Sequence, residues 1–224
     1  MAEVTPGMVK ELRERTGAGI MDCKVALTEN AGEMEAAVEY IKKKGLAKAA
    51  KKAGAIATEG VVHAYIHPGS RVGVLAEINC QTDFVARSPE FKQFVELVGM
   101  QVAAMSAQYA SRQDVPAGDV GKQRELFKAQ LEEEGKQSGK PKPPAAIEKI
   151  LEGKLDKWLS EVCLEEQPSV TDADKTIGAL ASELSGKIGE KIAVRRFVRF
   201  ELGEGLEKKT ADLAADVQAA IAGS

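Results

Sequence analysis

The apolar positions along this chain change period twice, and those changes divide it. From Thr5 the pattern is helical. Thr5-Pro6 predicts a capped helix start with proline in its first turn, and Val9 and Leu12 share one face. Thr16-Gly17-Ala18-Gly19 interrupts. Ile20, Cys23 and Leu27 resume the helical spacing, Asn30-Ala31-Gly32 breaks it again, and Met34, Val38 and Ile41 form a third short stripe. A separate lysine-rich helix is expected from Gly45 to Ala53. From Val61 the period becomes two: Val62, Ala64 and Ile66 alternate with His63, Tyr65 and His67. After Pro68-Gly69-Ser70-Arg71 the alternation returns in Val72, Val74, Ala76 and Ile78, which predicts a β-hairpin.

Ser88-Pro89-Glu90 signals a long helix whose stripe is Phe91, Val95, Val98, Val102 and Met105, widened by Phe94 and Leu97. Residues 111–121 and 135–144 are rich in Gly, Pro, Ser, Lys and Asp, and the second reads as a loop or mobile linker. Charged Gly121 to Glu134, the stripe from Ile147 to Val162, and Thr176 to Leu184 are expected to be helical. A last strand is expected from Ile192 to Leu202, with Val194, Val198, Phe200 and Leu202 on one face, and Glu207 to Ile221 reads as an amphipathic helix. A lone strand needs partners, and the hairpin offers them. The expected fold is therefore α+β: a three-helix unit over 1–54, a core over 55–205 with a three-stranded, mostly antiparallel sheet and a helical insertion around 111–165, and a carboxyl-terminal helix over 206–224.

Composition narrows the function. Lys+Arg is 31 and Asp+Glu 34, a net charge of −3, so the chain lacks the global positive field of a sequence-independent nucleic-acid binder. Cys23, Cys80 and Cys163 are widely spaced, form no CxxC motif, and suit a reducing cytosol. The start carries neither a basic nor an apolar leader pattern, and no apolar run approaches a membrane span. A cytoplasmic protein is expected. His63 and His67 lack further metal ligands nearby in sequence. GxSxG and GxxxxGK[ST] are both missing, so chemistry of the chain's own is not expected.

One segment stands apart. Asn79-Cys80-Gln81-Thr82-Asp83-Phe84-Val85-Ala86-Arg87 joins the second hairpin strand to the long helix, and it sets an acid beside a ring in a chain that is only 4% aromatic. Two readings stand. Phe84 tucks under the helix with Asp83 as a local cap, or it projects as a wedge for an apolar slot in a partner. A rival reading of the whole chain makes it an RNA-binding accessory protein using the lysine run with Arg195, Arg196 and Arg199; another makes it a small enzyme using the two histidines.

Four long motifs resemble the bacterial translation elongation factor Ts family. They are Val9 to Lys24 (VKELRERTGAGIMDCK), Asn79 to Arg87, Glu161-Val162-Cys163-Leu164 with Gln167-Pro168, and Arg196 to Gly205 (RFVRFELGEG). Gln81 and Ser169 depart from the family pattern. The resemblance implies a nucleotide exchange factor for elongation factor Tu, with an amino-terminal module similar to a ubiquitin-associated fold. It implies that Arg13, Ile20 and Met21 dock on the partner's nucleotide-binding domain, and that Thr82, Asp83, Phe84 and Val85 insert beside the partner's magnesium site. The terminal helix would touch the same partner domain. No cofactor is implied for this chain, since magnesium and GDP or GTP belong to the partner, and no nucleic acid or membrane is expected. The short form of the family, with one core unit, implies a homodimer.

Overall fold

The computed structural model describes residues 4–137 and 143–206; the terminal helix expected over Glu207 to Ile221 lies outside them. Three helices open the chain: α1 (Pro6–Thr16), α2 (Ile20–Glu29) and α3 (Met34–Lys52). The Thr5 hydroxyl accepts from the Met8 N–H at 3.3 Å, and Pro6 fills the first turn as the sequence suggests. These helices enclose a small core of Leu12, Cys23, Ala26, Leu27 and Ala37, each fully buried.

The lysine-rich stretch is not a separate helix. It continues α3 without a break, and Gly45 sits inside it. An interior glycine costs a helix about 1 kcal/mol relative to alanine, and here the tertiary packing of α3 carries the helix through it. Lys44 and Lys48 place their ammonium groups 3.1 and 2.9 Å from the Asp22 carboxylate, which ties α3 to α2. Those hydrogen bonds, from Lys48 and then Lys44, hold the Asp22 carboxyl below its ordinary range.

The sheet follows: β1 (Glu59–Ile66), β2 (Val72–Cys80) and, much later, β3 (Ala193–Glu201), in the order β1-β2-β3 and antiparallel throughout. Val74, Ala76 and Ile78 face inward from β2, joined by Val61 and Tyr65 from β1. Against this face lies α5 (Pro89–Met105), capped by Ser88, whose hydroxyl accepts from the Phe91 N–H. Phe91, Phe94, Val95, Val98 and Val102 of α5 are buried; each such side chain contributes about 1.5–3 kcal/mol by leaving water. Met105, expected at the end of that stripe, is 46% exposed because the helix has run past the sheet.

The alternation expected for the last strand fails at one residue. Glu77 pairs with Arg196 and Ile78 with Val194, so Arg195 is an extra residue, a β-bulge. Val194 faces inward. Beyond the bulge the phase reverses: Phe197 turns to the core, whereas Val198 and Phe200 point outward and are 42% and 69% exposed. The bulge also lets Arg195 and Arg196 reach one acid together, at 2.7 and 2.8 Å from the Glu77 carboxylate.

Between the hairpin and β3 stand α6 (Ala117–Gln137) and α7 (Pro144–Val162), packed on each other, and then α8 (Ile177–Ile188), capped by Thr176. The helix expected over Gly121 to Glu134 begins earlier and ends later, running into the stretch from 135 that reads as a loop. Ser169, a departure from the family pattern, is buried; its N–H donates to the Lys175 carbonyl and its hydroxyl pairs with Thr171. Helix α8 packs on α3 on one side and contacts α5 on the other, so it stands between the amino-terminal helices and the sheet layer.

Candidate partner interface

The segment after β2 forms a four-residue helix, α4 (Asp83–Ala86). Its cap is Thr82, not Asp83: the Thr82 hydroxyl accepts from the Val85 N–H, while Asp83 pairs with Arg87 one turn on, at 3.0 Å. Ala86 is buried and Val85 packs on the core, which fixes one side of α4. The other side carries Phe84, 81% exposed. The reading in which the ring tucks under the following helix is thereby excluded. Leaving a phenyl ring in water forgoes its burial energy, and nothing in the packing of the described residues requires it there.

Beneath the helix the backbone is held by Glu190. Its carboxylate accepts from the N–H of Gln81 at 3.1 Å, the N–H of Thr82 at 3.0 Å and the hydroxyl of Thr82 at 2.7 Å. Bonds to a charged acceptor are worth about 1.5–3 kcal/mol each. Cys80 Sγ donates to the Thr82 carbonyl at 3.1 Å, and burial pushes that thiol's pKa up, so it stays protonated. The Gln81 side-chain oxygen accepts from the Lys191 N–H, so this family departure serves a local hydrogen bond. Glu190 lies more than a hundred residues from the loop, and no local pattern in the sequence points to it.

The second group of singled-out residues lies on the amino-terminal helices. Ile20 and Met21, at the start of α2, are 56% and 69% exposed. Arg13 on α1 and Ile20 line a shallow groove with Val4, Pro6, Val9 and Lys24; Met21 stands exposed beside Ile20, outside the groove lining. The structure thus brings Arg13 and Ile20 together, and Thr82 to Val85 together, as two separate surfaces.

The arginines behind the first rival reading are engaged within the chain, and the two histidines lie beside polar neighbours. Arg195 and Arg196 hold Glu77, whose carboxyl they keep below its ordinary range. Arg199 bonds Glu201 and the Ala103 carbonyl. His63 Nε2 lies 3.0 Å from Glu96, and the His67 ring nitrogen Nδ1 lies 3.1 Å from the Tyr65 hydroxyl. Among the described residues, no three His, Cys, Asp or Glu side chains are grouped to hold a metal ion, and no helix is long and apolar enough to cross a membrane.

The outer face of the sheet is a further apolar surface. Val62 and Ile66 of β1, Leu75 of β2, and Val198 and Phe200 of β3 are all exposed on the side away from α5.

Comparison with known proteins agrees with the motifs. A family model described as Elongation factor TS matches residues 28–204. The Elongation factor Ts of Carboxydothermus hydrogenoformans is 57% identical over 218 residues, covering 97% of this chain and 98% of the relative. Those of Desulforamulus reducens and Geobacter sulfurreducens are 53% and 52% identical, covering 99% and 97% of this chain and 99% and 98% of the relatives. A projecting ring on a braced turn, a separate apolar patch on a small helical unit, and near-full-length similarity together place this chain in the elongation factor Ts family.

Proposed function

We propose that this protein is a guanine nucleotide exchange factor for elongation factor Tu that acts through two contacts. Arg13, Ile20 and Met21 dock on the partner's nucleotide-binding domain. Phe84 enters an apolar slot beside the partner's magnesium site, with Thr82, Asp83 and Val85 around it. The observation that carries the reading is Phe84 itself, exposed on a short helix whose other side is fixed by Ala86, Val85 and Glu190.

The physics of release follows from the partner's ligand. A guanine nucleotide is held through its phosphates and a bridging magnesium ion, and magnesium tolerates little departure from octahedral geometry. A ring forced between partner elements displaces the backbone around that ion. Burying a phenylalanine yields about 1.5–3 kcal/mol, and each 1.4 kcal/mol of coupling weakens nucleotide about tenfold. Asp83 brings a negative charge toward the groups that support the metal. Coupling is reciprocal, so GDP weakens binding of this protein as much as this protein weakens GDP. No covalent bond changes, magnesium and nucleotide remain the partner's, and neither nucleic acid nor membrane takes part.

A second copy of this chain is proposed as the occupant of the sheet's outer face. The patch of Val62, Ile66, Leu75, Val198 and Phe200 is of the contiguous apolar kind that marks interfaces, and two sheets stack face to face about 10 Å apart. Glu77 at its end is paired with Arg195 and Arg196, so pairing strands no carboxylate. Light scattering on the eluting protein should give a dimer mass, and Leu75→Glu a monomer; a monomeric parent protein would remove this part.

The function is tested by release of fluorescent GDP from purified elongation factor Tu. Addition of this protein should accelerate release by orders of magnitude and saturate with concentration. Unchanged release, with salt-sensitive RNA binding in its place, would overturn the proposal.

A further inference from the structure

The two proposed contacts belong to different parts of the chain, and one short stretch touches both. On one side, α8 crosses α3 with backbone against backbone. A side chain begun on Gly186 would press into the Gly45 carbonyl and meet the Gly45 Cα at 2.8 Å, whereas one begun on Gly45 would meet Gly186 Cα at an ordinary 3.9 Å. The next residue, Lys187, lies against Gly17 at the end of α1 and sets its Nζ 3.6 Å from Glu90 at the start of α5. A cleft of about 370 Å³ opens beside the crossing, lined among others by Val38, Ile41, Leu180 and Leu184. The amino-terminal helices therefore meet the core chiefly through the α3–α8 crossing.

On the other side, the same stretch grips the exchange loop. The chain leaves α8 through Gly189, at a positive φ of 83° that favours glycine. That turn brings Glu190 back under the loop. The buried Ser185 hydroxyl donates to the Glu190 carbonyl, and the Glu190 carboxylate holds Gln81 and Thr82 as described. Gly186, which sets how closely the docking helices approach, is thus four residues from Glu190, which sets where α4 stands.

We propose that the end of α8, Ser185 to Glu190, is a joint that keeps the docking face and Phe84 in fixed register, with Gly186 and Glu190 as its positioning residues. The inference rests on the reading of Phe84 and Met21 given above. When one contact forms, the other becomes intramolecular, and its effective concentration depends on how well the connecting structure matches the span. A joint of packed backbone and charged hydrogen bonds keeps that concentration high.

The test is a double-mutant cycle on stimulated GDP release, with orientation measured in parallel. Gly186→Ala should lower the maximal stimulated rate by roughly ten- to a hundredfold, the upper figure being what a misplacement of about 1 Å can cost. Gly45→Ala, at the same crossing, should leave it unchanged. In the Gly186→Ala background, Phe84→Ala should cost much less than in the parent protein, because the ring is already out of register; independent sites would instead add. Spin labels on Glu14→Cys and Lys92→Cys, both exposed while the native cysteines are buried, should report a shifted or broadened distance for Gly186→Ala and not for Gly45→Ala. Glu190→Gln, which keeps the helix crossing, should leave that distance alone yet shrink the Phe84→Ala effect in the same way. Full additivity in both backgrounds, or an unchanged distance and rate in Gly186→Ala, would overturn the joint. Loss of any Phe84→Ala effect in the parent protein would instead count against the wedge.

Discussion

The two surfaces proposed to meet elongation factor Tu rest on different supports. Ile20 and Met21 stand on three helices whose buried residues are Leu12, Cys23, Ala26, Leu27 and Ala37. Phe84 stands on four residues of helix, far too few to be stable alone, backed by the large core of sheet and helices and by three bonds to one carboxylate. A docking patch needs only to present area, and a small core suffices. On the proposed reading, a ring that displaces another protein's backbone has to resist being pushed back, and the three bonds to Glu190 would supply that resistance.

Breaking the smaller support should have the larger effect on stability. Leu12→Ala empties a fully buried site and should cost about 2–5 kcal/mol. Hydrogen exchange should locate that loss in α1 to α3, with β2 and α5 keeping their protection. Uniform loss across the chain would mean that the two cores fold as one unit. Removing the brace should act more locally: Glu190→Ala should speed amide exchange at Gln81 and Thr82 by roughly ten- to a hundredfold, the equivalent of one charged hydrogen bond, and leave the melting of the sheet nearly unchanged.

How these supports read in the sequence depends on their range. The hairpin, the Ser88 cap and the α5 stripe are visible in spacing alone, because each is decided by residues a few positions apart. The outward phase of Val198 and Phe200 is not, since one bulged residue, Arg195, reverses the alternation, and its partner Glu77 is more than a hundred residues away. The continuity of α3 through Gly45 is hidden for the same reason: α8, which packs across it there, comes much later in the chain. Scarcity of rings singles out Phe84, but only packing decides that it projects, and Glu190 leaves no local trace.

Smaller perturbations sharpen the contrast. Met21→Glu places a charge on an exposed residue, so stability should stay within about 0.5 kcal/mol of the parent, while the concentration giving half-maximal exchange rises several-fold. An unchanged half-maximal concentration would take Met21 out of the docking surface. The mildest is acid. The Asp22 carboxyl is held below its ordinary value of 3.8 by Lys48 and Lys44, so its stabilisation is complete above that pH and is lost as pH falls through the lowered folded value. Acid titration between about pH 5 and 2 should therefore loosen α2 from α3, and Asp22→Asn should remove that dependence.

The most direct measurement is stopped-flow release of fluorescent GDP from elongation factor Tu at saturating Phe84→Ala. The ring is exposed, so the variant should fold and still dock through α1 and α2, and its maximal rate should fall at least about tenfold, the equivalent of the lost burial. A saturating rate equal to that of the parent protein would contradict the wedge.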